Sequence, residues 1–369
     1  MANPTSRDTG QVVWVLGAGF SRPLGAPLLA GLLAYQPRRV ADKLYPDSSN
    51  GGQDLSTQIF QAKAFCRAGM EQGLWQNAEE FLERVETAVE SAEPDPVLQA
   101  WLGSGVMFQG PGDSQKAPIK FPHAAALARG ARLALASDCS VFLRGASLAS
   151  EKWQPYVRWA EGLTSQDTII SFNYDAIPEL LESRPNAKLK VIVPNRPFQP
   201  QRTQIVEHGS ALVLKVHGST TWQCEASGRV IVERPWEEPV GSCHKRESQL
   251  LLGIPGPLKG SLYGGRLKDL WEGGLSAVRE ADVIVFIGYR FPESDSESRS
   301  CLLNALSENR KKKRILTVLG PSSFDTDRLR VLLEAATRGS DSSIQSLPLF
   351  AQDFLALVWT LNLLEKSCC

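Results

Sequence analysis

Six short runs of apolar, mostly β-branched residues limit the possible folds more than any other feature of this chain. Each run is apolar at successive positions, which is typical of strands covered on both faces of a parallel sheet. The runs span residues 12–16, 168–172, 189–193, 212–216, 283–287 and 315–319. Helix candidates between and after them span residues 175–181, 267–280, 295–309 and 327–337. This alternation predicts an α/β fold, a Rossmann-type doubly wound and mostly parallel sheet.

The stretch from residue 41 to residue 163 interrupts the alternation. Its best helix candidates span residues 78–90, 122–135 and 151–163. Residues 103–117 are rich in Gly, Pro and polar residues, which favours a surface loop. We therefore expect a Rossmann-type domain formed by residues 1–40 and 164–369, with a mostly helical insertion module (41–163) packed on it.

Two further stretches carry weaker signals. Residues 223–248 form a second irregular segment between two strand regions. Residues 347–364 are apolar but interrupted by Gln352, Asp353 and Asn362, so they are expected to form an amphipathic closing helix and not a membrane span.

Composition limits the partners and the compartment. Lys plus Arg and Asp plus Glu both number 40, so the formal net charge is zero. Proteins that bind a phosphate backbone are usually basic, so direct nucleic-acid binding is not favoured. The basic run at 310–314 is expected to be a solvated face at a helix end. The seven cysteines are scattered and the first residues lack a signal-peptide pattern, which favours a cytoplasmic location.

A glycine-rich turn follows the first strand run. In dinucleotide-binding folds, backbone N–H groups in a Gly17-Ala18-Gly19-like turn approach a pyrophosphate closely. The common fingerprint has a third glycine, and Arg22 stands at that position here. From this turn alone, a nucleotide site and a purely structural turn both remain open.

Three other strand runs end in polar or glycine-bearing sequences. They are Asn173-Tyr174-Asp175, His217-Gly218-Ser219, and Gly288-Tyr289-Arg290 with Asp295 soon after. Ligands of open α/β sheets bind at the carboxyl ends of strands, so we expect these groups to meet at one crevice. The structural alternatives are a turn residue at 173, a helix cap at 175 and a strand-end cap at 217.

Taken in order, these four segments resemble the sirtuin-like NADase family of bacterial antiphage defence effectors. The resemblance rests on Gly-Ala-Gly-Phe-Ser (17–21), Ser-Phe-Asn-Tyr-Asp (171–175), Val-His-Gly-Ser (216–219) and Ile-Gly-Tyr (287–289) followed by Asp295. Supporting segments are Gly-Ala-Pro (25–27), the acidic helix at 78–82, and residues 252–259, where the family commonly has a Pro-Pro pair.

The resemblance implies roles for particular residues. Asn173 would orient the reactive ribose and water, and His217 would act as a base on a ribose hydroxyl. Histidine titrates near neutral pH, and asparagine donates and accepts without adding charge. The remaining expected NAD⁺-binding residues are Gly17, Ala18, Gly19, Phe20, Ser21, Asp175, Gly218, Gly288, Tyr289 and Asp295.

The implied activity is NAD⁺ glycohydrolysis, with NAD⁺ as substrate, giving ADP-ribose and nicotinamide and depleting cellular NAD⁺ during antiphage defence. One alternative is an NAD-dependent protein deacylase or ADP-ribosyltransferase. Another is a non-catalytic nucleotide-sensing module of a larger defence complex, although a pure binder needs neither Asn173 nor His217.

No metal is expected. Protein deacylases of the sirtuin family carry a zinc ribbon with two Cys-x-x-Cys pairs, and this chain has no such pair. The roles of Cys224, Cys243 and His244 stay open. Because a freely active NADase would be toxic, the resemblance also implies a homo-oligomer or a separate activator, such as a HerA-type ATPase or an Argonaute-type protein.

Overall fold

The computed structural model describes residues 10–36, 40, 42, 55–91, 95–110, 116–194, 209–225, 227–233, 249–254, 265–292, 295–360 and 364. The chain divides into two compact units. The sheet unit comprises Met1–Gly25, Gly145–His217 and Tyr263–Cys369. The helical unit comprises Ala26–Arg144 and Gly218–Leu262.

The sheet unit contains a seven-stranded sheet within the described residues. Its strands are β1 (Val12–Leu16), β4 (Thr168–Ser171), β5 (Leu189–Val191), β6 (Ala211–Lys215), β10 (Val283–Ile287), β11 (Lys313–Val318) and β12 (Ser342–Leu347). Their order across the sheet is β12-β11-β10-β1-β4-β6-β5, and every neighbouring pair is parallel. The predicted doubly wound α/β class is therefore confirmed.

Helices accompany these strands. They are α1 (Ala18–Ser21), α6 (Gln154–Gly162), α7 (Ile177–Glu182), α8 (Lys268–Glu280), α9 (Ser296–Glu308), α10 (Ser323–Ala336) and α11 (Ala351–Leu357). The central strand β1 is buried along its whole length because helices cover it. Its Trp14 ring makes edge-to-face contacts with Trp159 of α6, at 5.6 Å, and with Trp359, at 5.8 Å.

All six predicted strands are present, and two have the predicted bounds. The edge strand β12 was not predicted, because its sequence Ser-Ser-Ile-Gln-Ser-Leu is polar and only partly buried. The predicted closing helix over 347–364 is wrong in extent. Leu347 ends β12, and α11 spans only Ala351–Leu357, while residues 361–363 lie outside the described residues.

The basic run at 310–314 is not uniformly a solvated face. Lys313 begins β11 and is buried, and its Nζ donates to the main-chain oxygen of Asn309 at 2.6 Å and to Ser340 Oγ at 3.1 Å. Burial lowers the pKa of Lys313, with the charge of Arg310 as a second cause. Lys312 remains largely exposed beside Asp341. Two positions of the run, Lys313 and Arg314, therefore belong to the sheet.

Four of the described α-helices of the helical unit surround an aromatic core. They are α2 (Leu55–Glu71), α3 (Ala78–Glu90), α4 (Pro96–Ser104) and α5 (Ala124–Asp138). Phe65 contacts Trp75, Phe81 and Trp101. Helix α3 begins at the N-cap Asn77, whose Oδ1 accepts from the Glu80 N–H, and Glu80 Oε2 accepts from the N–H of the preceding residue, Gln76.

The helical unit also contains short strands that correct two predictions. Residues 103–117 include β2 (Val106–Phe108), which pairs antiparallel with β3 (Ala117–Ile119). The segment predicted as irregular from residue 223 includes the end of β7 (Gly218–Cys224) and β8 (Val230–Val232), and β7 also pairs with β9 (Gln249–Leu252). Most of these strands have only three or four residues, and β7 (Gly-Ser-Thr-Thr-Trp-Gln-Cys) is mostly polar, so the sequence shows no apolar pattern that reveals them.

The boundaries of the two units differ from the predicted domains. Helix α6 belongs to the sheet unit, because Tyr156 and Trp159 pack on Phe20 beside β1. Residues 218–262 cluster with the helical unit, although they follow β6 directly in sequence. Among the described helices, none combines the length and hydropathy that a bilayer-spanning segment needs.

Candidate active site

Four of the predicted ligand-facing strand ends lie at the same edge of the sheet. Strands β10, β1, β4 and β6 are consecutive and parallel, so their carboxyl ends emerge side by side. The chain continues from β1 toward β4 and later crosses to β10 on the other side of β1. Such a reversal of direction is where open α/β sheets bind ligands.

The glycine-rich turn after β1 packs tightly on the end of β10. The Gly17 N–H donates to the Ile287 oxygen at 2.9 Å, and the Gly19 N–H donates to the Gly288 oxygen at 3.3 Å. A Cβ at Gly17 would lie 2.6 Å from the Gly288 oxygen, and one at Gly19 would lie 2.6 Å from Gly288 Cα. Both glycines are therefore required by close approach of two backbones. Their N–H groups are hydrogen-bonded within the protein, so the contacts do not support the pyrophosphate role expected for those two groups.

Asn173 follows β4 and is held by its amide nitrogen. Nδ2 donates to the Gly17 oxygen at 2.9 Å and to Ser21 Oγ at 3.0 Å. Ser21 is fully buried, and its hydroxyl donates to Asp175 Oδ2 at 2.6 Å. The other carboxylate oxygen of Asp175 accepts from the Ile177 N–H at 3.2 Å. Three predicted site residues, Asn173, Ser21 and Asp175, are thus joined in one hydrogen-bonded chain.

Next to this hydrogen-bonded chain lies a buried ion pair that was not predicted from the sequence. Lys215 Nζ of β6 lies 2.9 Å from Glu179 Oε1 of α7, and both side chains are fully or almost fully buried. Lys215 Nζ also donates to the main-chain oxygen of Asp175 at 2.5 Å. Burial raises the pKa of the Asp175 carboxyl, against the opposing effects of the Lys215 charge and the Ser21 hydrogen bond. A charged residue inside the apolar run 212–216 was the available signal.

His217 lies just beyond β6, beside a second acidic residue. Its Nε2 is 3.4 Å from Asp295 Oδ2, and both side chains are almost completely buried. Asp295 Oδ1 accepts a short hydrogen bond from Ser298 Oγ, and Oδ2 lies 3.4 Å from the Tyr289 hydroxyl, which donates to it. Asp295 and Tyr289 were expected to bind NAD⁺, and their contacts on the His217 side of the site were not predicted from the sequence.

Aromatic rings surround the imidazole of His217. The ring centroid of Phe172 is 4.9 Å away, in an edge-to-face arrangement, and that of Trp271 is 6.4 Å away. Phe172 also stacks on Tyr289 at 4.1 Å. Trp271 Nε1 donates to the Val216 oxygen at 3.0 Å and so fixes the backbone that carries His217. The histidine is therefore held in a largely apolar environment with one carboxylate beside it.

The remaining predicted residues do not join these hydrogen-bonded groups. Phe20 is a core residue, because its ring packs on Tyr156 and Trp159. Ala18 is exposed. Gly218 belongs to the helical unit. Glycine is required there for two reasons: its φ is +80°, and an added Cβ would lie 2.0 Å from the Leu251 oxygen.

Within the described residues, no group of three or more His, Cys, Asp or Glu could hold a metal ion. Cys224 lies at the end of β7 with Sγ 3.4 Å from the Glu225 oxygen. Cys243 and His244 lie outside the described residues, as do residues 255–259 of the segment with family resemblance.

No protein-family model matches the chain, and no curated protein is significantly similar to it. Solved structures of Sir2 proteins are similar over 95% of this chain and 93% of theirs. One is a Sir2 with p53 peptide and NAD⁺, at 13% identity and a TM-score of 0.34. Another is Sir2Tm bound to a propionylated peptide, at 13% identity and a TM-score of 0.33. Likeness at this level does not establish a shared family or activity.

Proposed function

We propose that this protein cleaves NAD⁺ by hydrolysis, releasing nicotinamide and ADP-ribose. The proposal is carried by the positions of Asn173 and His217, which directly follow the carboxyl ends of the adjacent strands β4 and β6. Both side chains are buried, and each is held by its own set of partners, Ser21 with Gly17 for the amide and Asp295 for the imidazole. A site that only binds a nucleotide has no need of a fixed amide and a histidine–carboxylate pair.

The reaction breaks the bond between nicotinamide and the ribose carbon. Nicotinamide leaves as a neutral molecule with the electron pair of that bond, so no strong general acid is needed. Positive charge develops on the ribose, water supplies the oxygen that bonds to the same carbon, and one proton is released. Asn173 would orient the ribose and the water through its free amide oxygen, and His217 would accept a proton from a ribose hydroxyl.

Asp295 would support this role of His217. A carboxylate next to an imidazole stabilises the imidazolium that forms when the base takes up a proton. The distance of 3.4 Å is long for a hydrogen bond, and catalytic hydrogen bonds are often long before substrate is bound. The aromatic rings around His217 exclude water, which strengthens electrostatic interactions at the site.

Two other activities use the same substrate or ligand. An NAD-dependent deacylase or an ADP-ribosyltransferase would transfer the ribose to an acceptor other than water, and the lack of Cys-x-x-Cys pairs argues against the ribbon that supports an acyl-lysine cleft. A non-catalytic nucleotide sensor would bind NAD⁺ and leave it intact. Product analysis separates the three.

The test is chromatography of NAD⁺ incubated with the purified protein, alone and with an acetyl-lysine peptide. Asn173→Ala and His217→Ala should each lower turnover at least about a hundredfold, the scale of losing a general base. Calorimetry should show that both variants still bind NAD⁺. Asn304→Ala and His123→Ala are matched controls, because Asn304 is exposed on α9 and His123 only caps α5. Intact NAD⁺ with every activator tested, together with deacetylation of the peptide, would refute hydrolysis.

We further propose that NAD⁺ depletion in the cytoplasm is the biological output, as an antiphage effector. A homo-oligomer or a separate activator, such as a HerA-type ATPase or an Argonaute-type protein, would restrain the activity until infection. The family resemblance of the four strand-end motifs supports this role. Cellular NAD⁺ should then fall after phage infection in bacteria that express the wild-type protein and stay constant with His217→Ala.

A further inference from the structure

Lys215 is a fully buried charged residue in a strand that is otherwise apolar, and the proposed reaction does not use it directly. Its Nζ bonds both carboxylate oxygens of Glu179, at 2.9 and 3.2 Å. It also reaches two consecutive main-chain oxygens, of Tyr174 at 3.4 Å and of Asp175 at 2.5 Å. The Lys215 ammonium group therefore links helix α7 to the turn at residues 173–175, which carries Asn173.

The orientation of the Asn173 amide follows from its partners. A main-chain oxygen only accepts hydrogen bonds, so the atom 2.9 Å from the Gly17 oxygen must be Nδ2. Its second hydrogen goes to Ser21 Oγ, which must then direct its own hydroxyl hydrogen to Asp175. The Ser21–Asp175 distance of 2.6 Å suits a hydroxyl that donates to a charged carboxylate. Only Oδ1 of Asn173 is left, and it has no hydrogen bond to any described residue.

This arrangement depends on the charge of Asp175. A protonated carboxyl carries a donor, and it would direct that donor at Ser21 Oγ. The Ser21 hydroxyl would then no longer be held by donating to Asp175, so the second hydrogen bond of the Asn173 amide would be less firmly fixed, while the bond to Gly17 remains. The charged groups that face Asp175 are Lys215 from β6 and Glu179 from α7, and Tyr156 of α6 is a further titratable neighbour. Lys215 is the only cation in this set.

We propose that Lys215 is a positioning residue for Asn173. Its ammonium fixes the 173–175 turn and balances two buried carboxylates, so that Gly17 and Ser21 hold the amide with Oδ1 free to accept a hydrogen bond from substrate. The effect of this role on catalysis rests on the proposed function. The orientation of the amide itself is a property of the free protein and can be measured without substrate.

The variant is Lys215→Met, which keeps the length of the side chain and removes its charge. Lys190→Met is the matched control, because Lys190 lies on the neighbouring strand β5 and pairs with Glu182 of the same helix α7 on the surface. Lys215→Arg tests rescue by charge. Ser21→Ala cuts the link between Asp175 and Asn173 without changing any buried charge, so it stands in if Lys215→Met does not fold.

On activity, Lys215→Met should lower kcat at least about tenfold and leave KM for NAD⁺ within about threefold, the pattern of a lost transition-state interaction. The acid limb of kcat should move to higher pH, because Asp175 without a nearby cation keeps its proton longer. Lys215→Arg should recover part of kcat, and Lys190→Met should match the wild type. A folded Lys215→Met with wild-type kcat and pH profile would overturn the role.

The second readout is the side-chain amide signal of Asn173 in protein labelled with ¹⁵N-asparagine, identified by its absence in Asn173→Ala. In the wild type its two hydrogens should exchange slowly with deuterium. In Lys215→Met and in Ser21→Ala exchange should be at least about tenfold faster, since the amide is no longer held at both hydrogens. Unchanged exchange in both variants refutes the positioning role even if the enzyme turns out not to cleave NAD⁺. A wild type that leaves NAD⁺ intact refutes only the proposed function.

Discussion

Replacing Gly19 by alanine tests whether the glycine-rich turn is required for packing before any ligand binds. The new Cβ would lie 2.6 Å from Gly288 Cα and 3.4 Å from the Gly288 oxygen. Carbon atoms pack at about 3.5–4.0 Å, so the two backbones would have to separate by roughly 1 Å. Such overpacking costs about 1–3 kcal/mol. The Gly19 N–H bond to Gly288, at 3.3 Å, would be lost as well, at a cost of about 1 kcal/mol.

Overpacking and the lost hydrogen bond together lower the free energy of unfolding by about 2–4 kcal/mol. By the scaling for domains of about 150–250 residues, this lowers Tm by about 4–16 °C. Thermal unfolding followed by calorimetry measures the shift. Gly103→Ala is the control, since Gly103 lies in helix α4 with nothing within 4 Å of an added Cβ, and it should raise stability by up to about 1 kcal/mol. A Gly19→Ala protein that melts with the wild type and yet fails to bind NAD⁺ would refute the packing argument and restore the turn to a direct role at the ligand.

Two further predictions concern the carboxylates. Asp295→Asn should lower kcat about tenfold to a thousandfold with little change in NAD⁺ affinity, because a charge 3.4 Å from a buried imidazolium is worth up to about 4 kcal/mol; steady-state kinetics with unchanged kcat would contradict it. Burial raises the pKa of Asp175 above its ordinary value of 3.8. Between about pH 4 and the raised pKa, the folded state binds a proton that the unfolded state has lost, so the free energy of unfolding should fall as pH rises through this range. Asp175→Asn should remove this slope in urea titrations, whereas an equal slope in both proteins would show that Asp175 is not its cause.

The fold was predictable because burial on both faces leaves a mark in the sequence. Strands β1 and β10 carry five consecutive apolar residues each, and both were assigned with their observed bounds. Strand β12 lies at the edge of the sheet and alternates between exposed and half-buried positions, so it needs no apolar run. The described strands of the helical unit are mostly three or four residues long, and pairing partners cannot be read from so short a run.

The candidate site was predictable only in part. Polar residues after strands identify which side chains reach the sheet edge, and Asn173, His217 and Asp295 are all found there. Which of them touch one another depends on sheet order and on side-chain direction. Asp295 approaches His217 from a helix start beyond β10, 78 positions later in the chain (295 minus 217), and no local pattern encodes that contact.

The missing third glycine of the dinucleotide fingerprint has a physical explanation. In that fingerprint the third glycine allows a long helix to pack closely on the first strand. Here α1 ends at Ser21, and the chain continues as a 3₁₀ turn over Arg22–Leu24 that ends at Gly25 with a φ of 110°. No extended helix begins at this turn, and the Arg22 side chain is exposed to solvent. The constraint that selects the third glycine is therefore absent, while the constraint on Gly17 and Gly19 remains and comes from Gly288. A missing fingerprint glycine can therefore reflect a change in helix packing and need not reflect a loss of nucleotide binding. In this chain the absence of the third glycine is explained by helix packing alone.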